Sequence, residues 1–79
     1  MNLTILFFGA TSDIAGERRI TLDAPDEVSI AEVIKQLLEM FPDLGKLKLL
    51  AALNEEYVPA DTISKDGDTI AIFTPVSGG

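Results

Sequence analysis

A chain of 79 residues has room for one small domain, and its 47% hydrophobic and 24% charged residues supply a core without covalent staples. The absence of cysteine and histidine excludes disulfides, cysteine-based zinc sites and the commonest general base. Thirteen acidic residues against six basic ones, a formal net charge of −7, argue against nucleic acid, whose phosphates need clustered Lys and Arg; a protein partner with a basic surface and simple solubility are the two readings of that charge.

The first segment, Leu3 to Phe8, is β-branched and aromatic enough to be a strand, with Leu3, Ile5 and Phe7 on one face and Thr4, Leu6 and Phe8 on the other. Met1-Asn2 leads straight into it, and no apolar run approaches about 18 residues, so neither a signal peptide nor a membrane span is expected. That expectation, with the lack of cysteine, suits the cytoplasm. Gly9 to Gly16 is a small-residue connection in which Ser12 or Asp13 is placed to cap a short helical turn. It lacks the glycine spacing and the lysine of a phosphate loop. Glu17 to Leu22 alternates as a second, antiparallel strand, and Pro25-Asp26 breaks the chain after it.

Ser29 and Glu32 form a capping box, with Val28 and Val33 as the hydrophobic staple beside it. Ile30, Val33, Ile34, Leu37, Leu38 and Phe41 then make one apolar stripe at helical spacing, and Pro42 stops the helix near Met40 or Phe41. Leu44 to Lys48 reads as a short turn and Leu49 to Leu53 as a buried strand. A polar turn at Asn54-Glu55-Glu56 leads to a short extended piece at Tyr57-Val58. Pro59 to Lys65 is irregular, with one helical turn expected after Asp61. Asp66-Gly67-Asp68 reads as a tight turn with glycine at positive φ, because its ligand count falls far short of a calcium loop. Thr69 to Phe73 is the last strand, ended by Pro75.

One amphipathic helix with a single apolar stripe must lie across one face of a mixed sheet. The order strand, strand, helix, strand, short strand, strand therefore predicts an α+β fold, a ubiquitin-like β-grasp. The right-handed crossover rule places the last strand parallel to the first, as central neighbours. Residues 1–73 form the domain in this reading and 74–79 an extended, flexible tail. With Ile70 and Ile72 inward, Ala71 and Phe73 face away from the helix, near Phe8 and the root of that tail, and two exposed aromatics on one patch mark a protein interface.

The tail ends on Gly78-Gly79, and Thr74 to Gly79 carries no charged side chain. Six extended residues reach about 20 Å, and a glycine pair passes through a channel too narrow for other residues. The composition offers no set of nucleophile, base and orienting group, so the chain alone is non-catalytic and its terminal carboxylate is the place for chemistry.

Leu6-Phe7-Phe8-Gly9, Gly16, Ala52-Leu53-Asn54, Asp66-Gly67-Asp68 and the terminal Phe73-Thr74-Pro75-Val76-Ser77-Gly78-Gly79 together resemble the small, sulfur-carrier subunits of molybdopterin synthase. The resemblance spans the whole chain. It implies that an activating enzyme related to ubiquitin activators, an adenylyltransferase, uses ATP and Mg²⁺ to adenylate the carboxylate of Gly79. Sulfur from a sulfurtransferase then displaces AMP and leaves a thiocarboxylate. It also implies docking on a large synthase subunit, in a heterotetramer, where the sulfur passes to cyclic pyranopterin monophosphate during molybdenum cofactor biosynthesis. The chain itself holds no cofactor in this scheme. Gly79 is the acceptor of AMP and sulfur, Gly78 gives the slim approach, and Phe8, Tyr57, Phe73, Pro75 and Val76 contact partners. Relatives more usually have an aliphatic residue at Tyr57, and many carry an arginine in the loop where this chain has Ser12-Asp13. A thiamine-pathway sulfur carrier, a ubiquitin-like protein modifier and a plain binding module with an inert tail are the alternatives.

Overall fold

The computed structural model describes residues 1–75. A five-stranded sheet with order β2-β1-β5-β3-β4 carries one main helix across one face. Its strands are β1 (Asn2–Phe7), β2 (Arg19–Asp23), β3 (Leu50–Leu53), β4 (Glu56–Tyr57) and β5 (Thr69–Phe73), joined by helices α1 (Ala10–Ala15) and α2 (Ile30–Met40). β1 and β5 run parallel at the centre, with Ile5 beside Ile70 and Phe7 beside Ile72; every other pairing is antiparallel. This is the mixed β-grasp sheet that the order of elements predicts.

The alternation of β1 and β5 drives the core. Leu3, Ile5, Phe7, Ile70 and Ile72 are buried on the helix side, where Ile30, Val33 and Leu37 of α2 meet them. Ile34, Leu38 and Phe41 flank that stripe half-buried, and the Phe41 ring stands edge-on to Phe7 with centroids 5.7 Å apart. Ser29 caps α2 by accepting the Glu32 N–H at 3.2 Å, and Val28 and Val33 are both buried beside it. The helix ends at Met40, and Pro42 opens a 3₁₀ turn, Pro42–Lys46, whose Leu44 is wholly buried.

Several local expectations change. α1 is capped neither by Ser12 nor by Asp13, which lie inside it; Gly9 precedes it at φ 59°, ψ −127°, a conformation that a Cβ disfavours. Residues 44–48 do not make the turn alone, because proline at the first position of the 3₁₀ helix starts it at 42. β3 is half-buried rather than buried, since β4 covers its far edge with only two residues. Glu56 belongs to β4, so the hairpin turn is the residue pair Asn54-Glu55, with φ of 48° and 72°. After Asp61 the chain does not form a helical turn; Ile63 bridges to Ser29, and Ser64 donates from both N–H and Oγ to the Val28 carbonyl.

Asp66, Gly67 and Asp68 form the expected tight turn, with Gly67 at φ 86°. Asp66 Oδ1 accepts the Asn2 N–H at 2.7 Å, and Asp68 Oδ2 accepts the Lys65 N–H at 2.7 Å. Asn54 links this turn to the β3–β4 hairpin by donating to Asp68 Oδ1 and accepting the Thr69 N–H. These carboxylates brace the end of the sheet remote from the C-terminus of β5. Among the described residues no acidic group is arranged to hold a metal ion.

Candidate functional site

Among the described residues, no helix lies over the face of the sheet turned away from α2. Register fixes what it shows. Arg19 of β2 pairs with Leu6 of β1, Leu6 with Ala71 of β5, Ala71 with Ala52 of β3, and Ala52 with Tyr57 of β4. Residues in register share a face, so these five form one row across all five strands. The two alanines make a low floor in its middle. Phe8 and Phe73 stand on the side of that row nearer the end of β5, and Thr4 and Thr69 on the other.

Phe8 lies one residue beyond β1, 52% exposed, and Tyr57 is 78% exposed. Phe73 is half-buried, and its ring meets Tyr57 edge-on, centroids 5.7 Å apart. Phe8, Gly9, Tyr57, Ala71, Phe73 and Thr74 line one shallow groove that leads to the start of the tail. Sequence reasoning places Phe8, Tyr57 and Phe73 as partner contacts, and the fold brings all three to this groove. Pro75 is exposed just past it. Val76, Gly78 and Gly79 lie outside the described residues.

Thr11 holds the root of the groove, a role that no pattern of spacing or residue type announces. Its side chain is wholly buried. Oγ1 accepts the Phe8 N–H at 3.0 Å and lies 2.8 Å from the Phe8 carbonyl and 2.9 Å from the Ile72 carbonyl, which share its one proton. The Phe8 N–H also reaches the Ile72 carbonyl at 3.2 Å. One hydroxyl thus ties the end of β1 to β5 one residue before Phe73. A threonine in a polar loop is ordinarily solvated, so only the three-dimensional position of α1 reveals this role. Ala52 was equally hidden, because a small residue becomes a floor only once its neighbours across the sheet are known.

The arrangement has no nucleophile–base pair among the described residues. What it offers is an exposed, apolar and partly aromatic patch beside the start of an uncharged C-terminal segment. No helix among the described residues is long and apolar enough to cross a membrane.

Comparison with known proteins gives the same fold and a lineage. A solved Pyrococcus furiosus chain, described as subunit 1 of a molybdopterin converting factor, superposes with a TM-score of 0.90 at 20% identity, covering 96% of this chain and 99% of its own. In the solved complex of subunits 1 and 2 of the molybdopterin-converting factor from Helicobacter pylori, a chain with a TM-score of 0.70 and 27% identity is matched over 100% of both lengths. The molybdopterin synthase sulfur carrier subunit of Haemophilus influenzae is 38% identical over 82 aligned positions, covering 98% of this chain and 99% of the relative. From residue 5 to residue 79 the sequence matches the ThiS family, and the chain belongs to that family.

Proposed function

We propose that this chain is the sulfur-carrying small subunit of a molybdopterin synthase. The observation that carries the reading is the exposed Phe8–Tyr57–Phe73 groove at the root of a diglycine-ended segment, in a chain similar end to end to carrier subunits. The Helicobacter pylori complex of subunits 1 and 2 supports a large subunit as the partner.

In this reading residues 1–73 dock and residues 74–79 deliver. A carboxylate is a poor acyl electrophile. Attack of the Gly79 carboxylate on the α-phosphorus of ATP, with Mg²⁺ and catalysis supplied by an adenylyltransferase, releases pyrophosphate and gives an acyl adenylate. A persulfide delivered by a sulfurtransferase attacks the acyl carbon, and AMP leaves with the bonding electron pair. A second thiol then attacks the inner sulfur of the resulting acyl disulfide, so that a protein disulfide forms and the thiocarboxylate of Gly79 is released. Docking on the large subunit then turns sulfur transfer to cyclic pyranopterin monophosphate into an effectively intramolecular event. Two such deliveries supply the two sulfurs of the dithiolene. This chain contributes position and a carrier group and holds no cofactor of its own, and the pathway is placed in the cytoplasm.

Deletion of Gly79 tests this. The truncated protein is expected to keep its thermal stability and its binding to the large subunit while supporting no molybdopterin synthesis in the reconstituted system. Molybdopterin formation by the truncated protein at the full-length rate would overturn the proposal. Capture of a thiazole synthase in place of the large subunit would assign the chain to thiamine synthesis, and isopeptide adducts through Gly79 would make it a modifier.

A further inference from the structure

Three shallow depressions meet at Phe8, and two of them are lined by charged side chains. One runs toward β2, where Arg18 and Arg19 line it beside Leu6 and outnumber the single carboxylate of Asp13 on its α1 side. Another runs toward the β3–β4 turn, where Glu55 lines it beside Ala52 and Asn54. Arg19 and Glu55 are both exposed, and neither forms an ion pair among the described residues. Three strand spacings, about 14 Å, separate β2 from β3. That exceeds the Debye length of about 8 Å at physiological salt, so the two charges do not neutralise one another.

Glu55 carries a second mark. It is the second residue of the two-residue hairpin turn and sits at φ 72°, where glycine is favoured and a Cβ is strained. Its carboxylate makes no side-chain hydrogen bond among the described residues, in contrast to Asn54 beside it, which makes two. The turn therefore keeps a carboxylate where the backbone would be better served without one.

We propose that Arg19 and Glu55 are specificity-determining charges on opposite flanks of the docking patch, and that the protein covering it presents an acidic group to Arg19 and a basic group to Glu55. The proposal rests on the reading of this face as the surface that docks on the large synthase subunit. The apolar floor alone would tolerate a half-turn of the partner about the sheet normal. Opposite charges at the two ends forbid it, because the rotated complex would set like charges against each other. The tail is thereby aimed in one direction. Charges at a rim act chiefly on association rate and orientation, while the aromatic groove supplies the affinity.

The test is stopped-flow association of the full-length protein with its own large subunit at about 25 mM and about 1 M salt, together with melting temperatures. Arg19→Glu and Glu55→Lys are each expected to lower the association rate roughly tenfold at low salt. The difference from the unsubstituted protein should collapse at 1 M, where the Debye length is about 3 Å. Glu55→Gly should associate several-fold more slowly at low salt with a melting temperature unchanged or raised, opposite signs that a purely structural residue would not give. Association of both charge reversals at the unsubstituted rate in low salt, or slowing that persists undiminished at 1 M, would overturn the inference while leaving the docking reading intact. Failure of the unsubstituted protein to bind the large subunit would overturn both.

Discussion

Phe8 owes its position to Gly9. A residue with a Cβ would resist φ 59°, ψ −127°, and a straighter chain there would carry β1 onward instead of turning into α1. Thr11 then pins the Phe8 backbone to Ile72 from inside that helix, so the aromatic is exposed on a rigid base. Tyr57 gains its support differently, from the edge-on contact with Phe73. Because Phe8 and Tyr57 are more than half exposed, Phe8→Ala and Tyr57→Ala should each change folding stability by no more than about 0.5 kcal/mol. Each should weaken docking on the large subunit by about 2 kcal/mol or roughly thirtyfold, as truncated aromatic anchors do. Isothermal titration alongside urea denaturation separates the two effects. Equal loss of stability and affinity would assign these side chains to the core instead.

Among the elements, α2 was fully legible, because a capping serine, a stripe at helical period and a following proline each mark it independently. Leu37 lies at the centre of that stripe and is wholly buried against the sheet. Leu37→Ala should therefore cost about 2–5 kcal/mol, read as a lowered denaturant midpoint at unchanged slope. A cost below 1 kcal/mol would mean that α2 does not seal the core. α1 was less legible. Its six residues carry no apolar stripe, its entry is set by glycine backbone geometry, and its one buried anchor is a threonine. The β3–β4 hairpin was read one residue too long at the turn, because Asn54-Glu55 lacks the glycine that usually announces a two-residue turn. That same missing glycine marks Glu55 as a residue held for something other than the turn.

At the scale of the whole molecule, period-two alternation told which side chains of β1 and β5 face out, and the crossover rule made those strands neighbours. Neither rule gives register across the sheet. The row from Arg19 to Tyr57 draws on segments far apart in sequence, and only the paired strands show that two alanines form its floor between a cationic and an aromatic end. The acidic braces Asp66 and Asp68 lie at the end of the sheet away from the exit of β5, and among the described residues the groove beside that exit is lined by no charged side chain. That geometry suits a carrier that must enter another protein's site and leave again, and the acyl chemistry at Gly79 is the center of the account. Its most direct test is the intact mass of the full-length protein after incubation with ATP, Mg²⁺, the activating enzyme and a sulfur source. A gain of about 16 Da, from exchange of one oxygen for sulfur and confined to the C-terminal glycine, is the expected result. An unchanged mass under conditions in which the same enzyme activates a known carrier would contradict it.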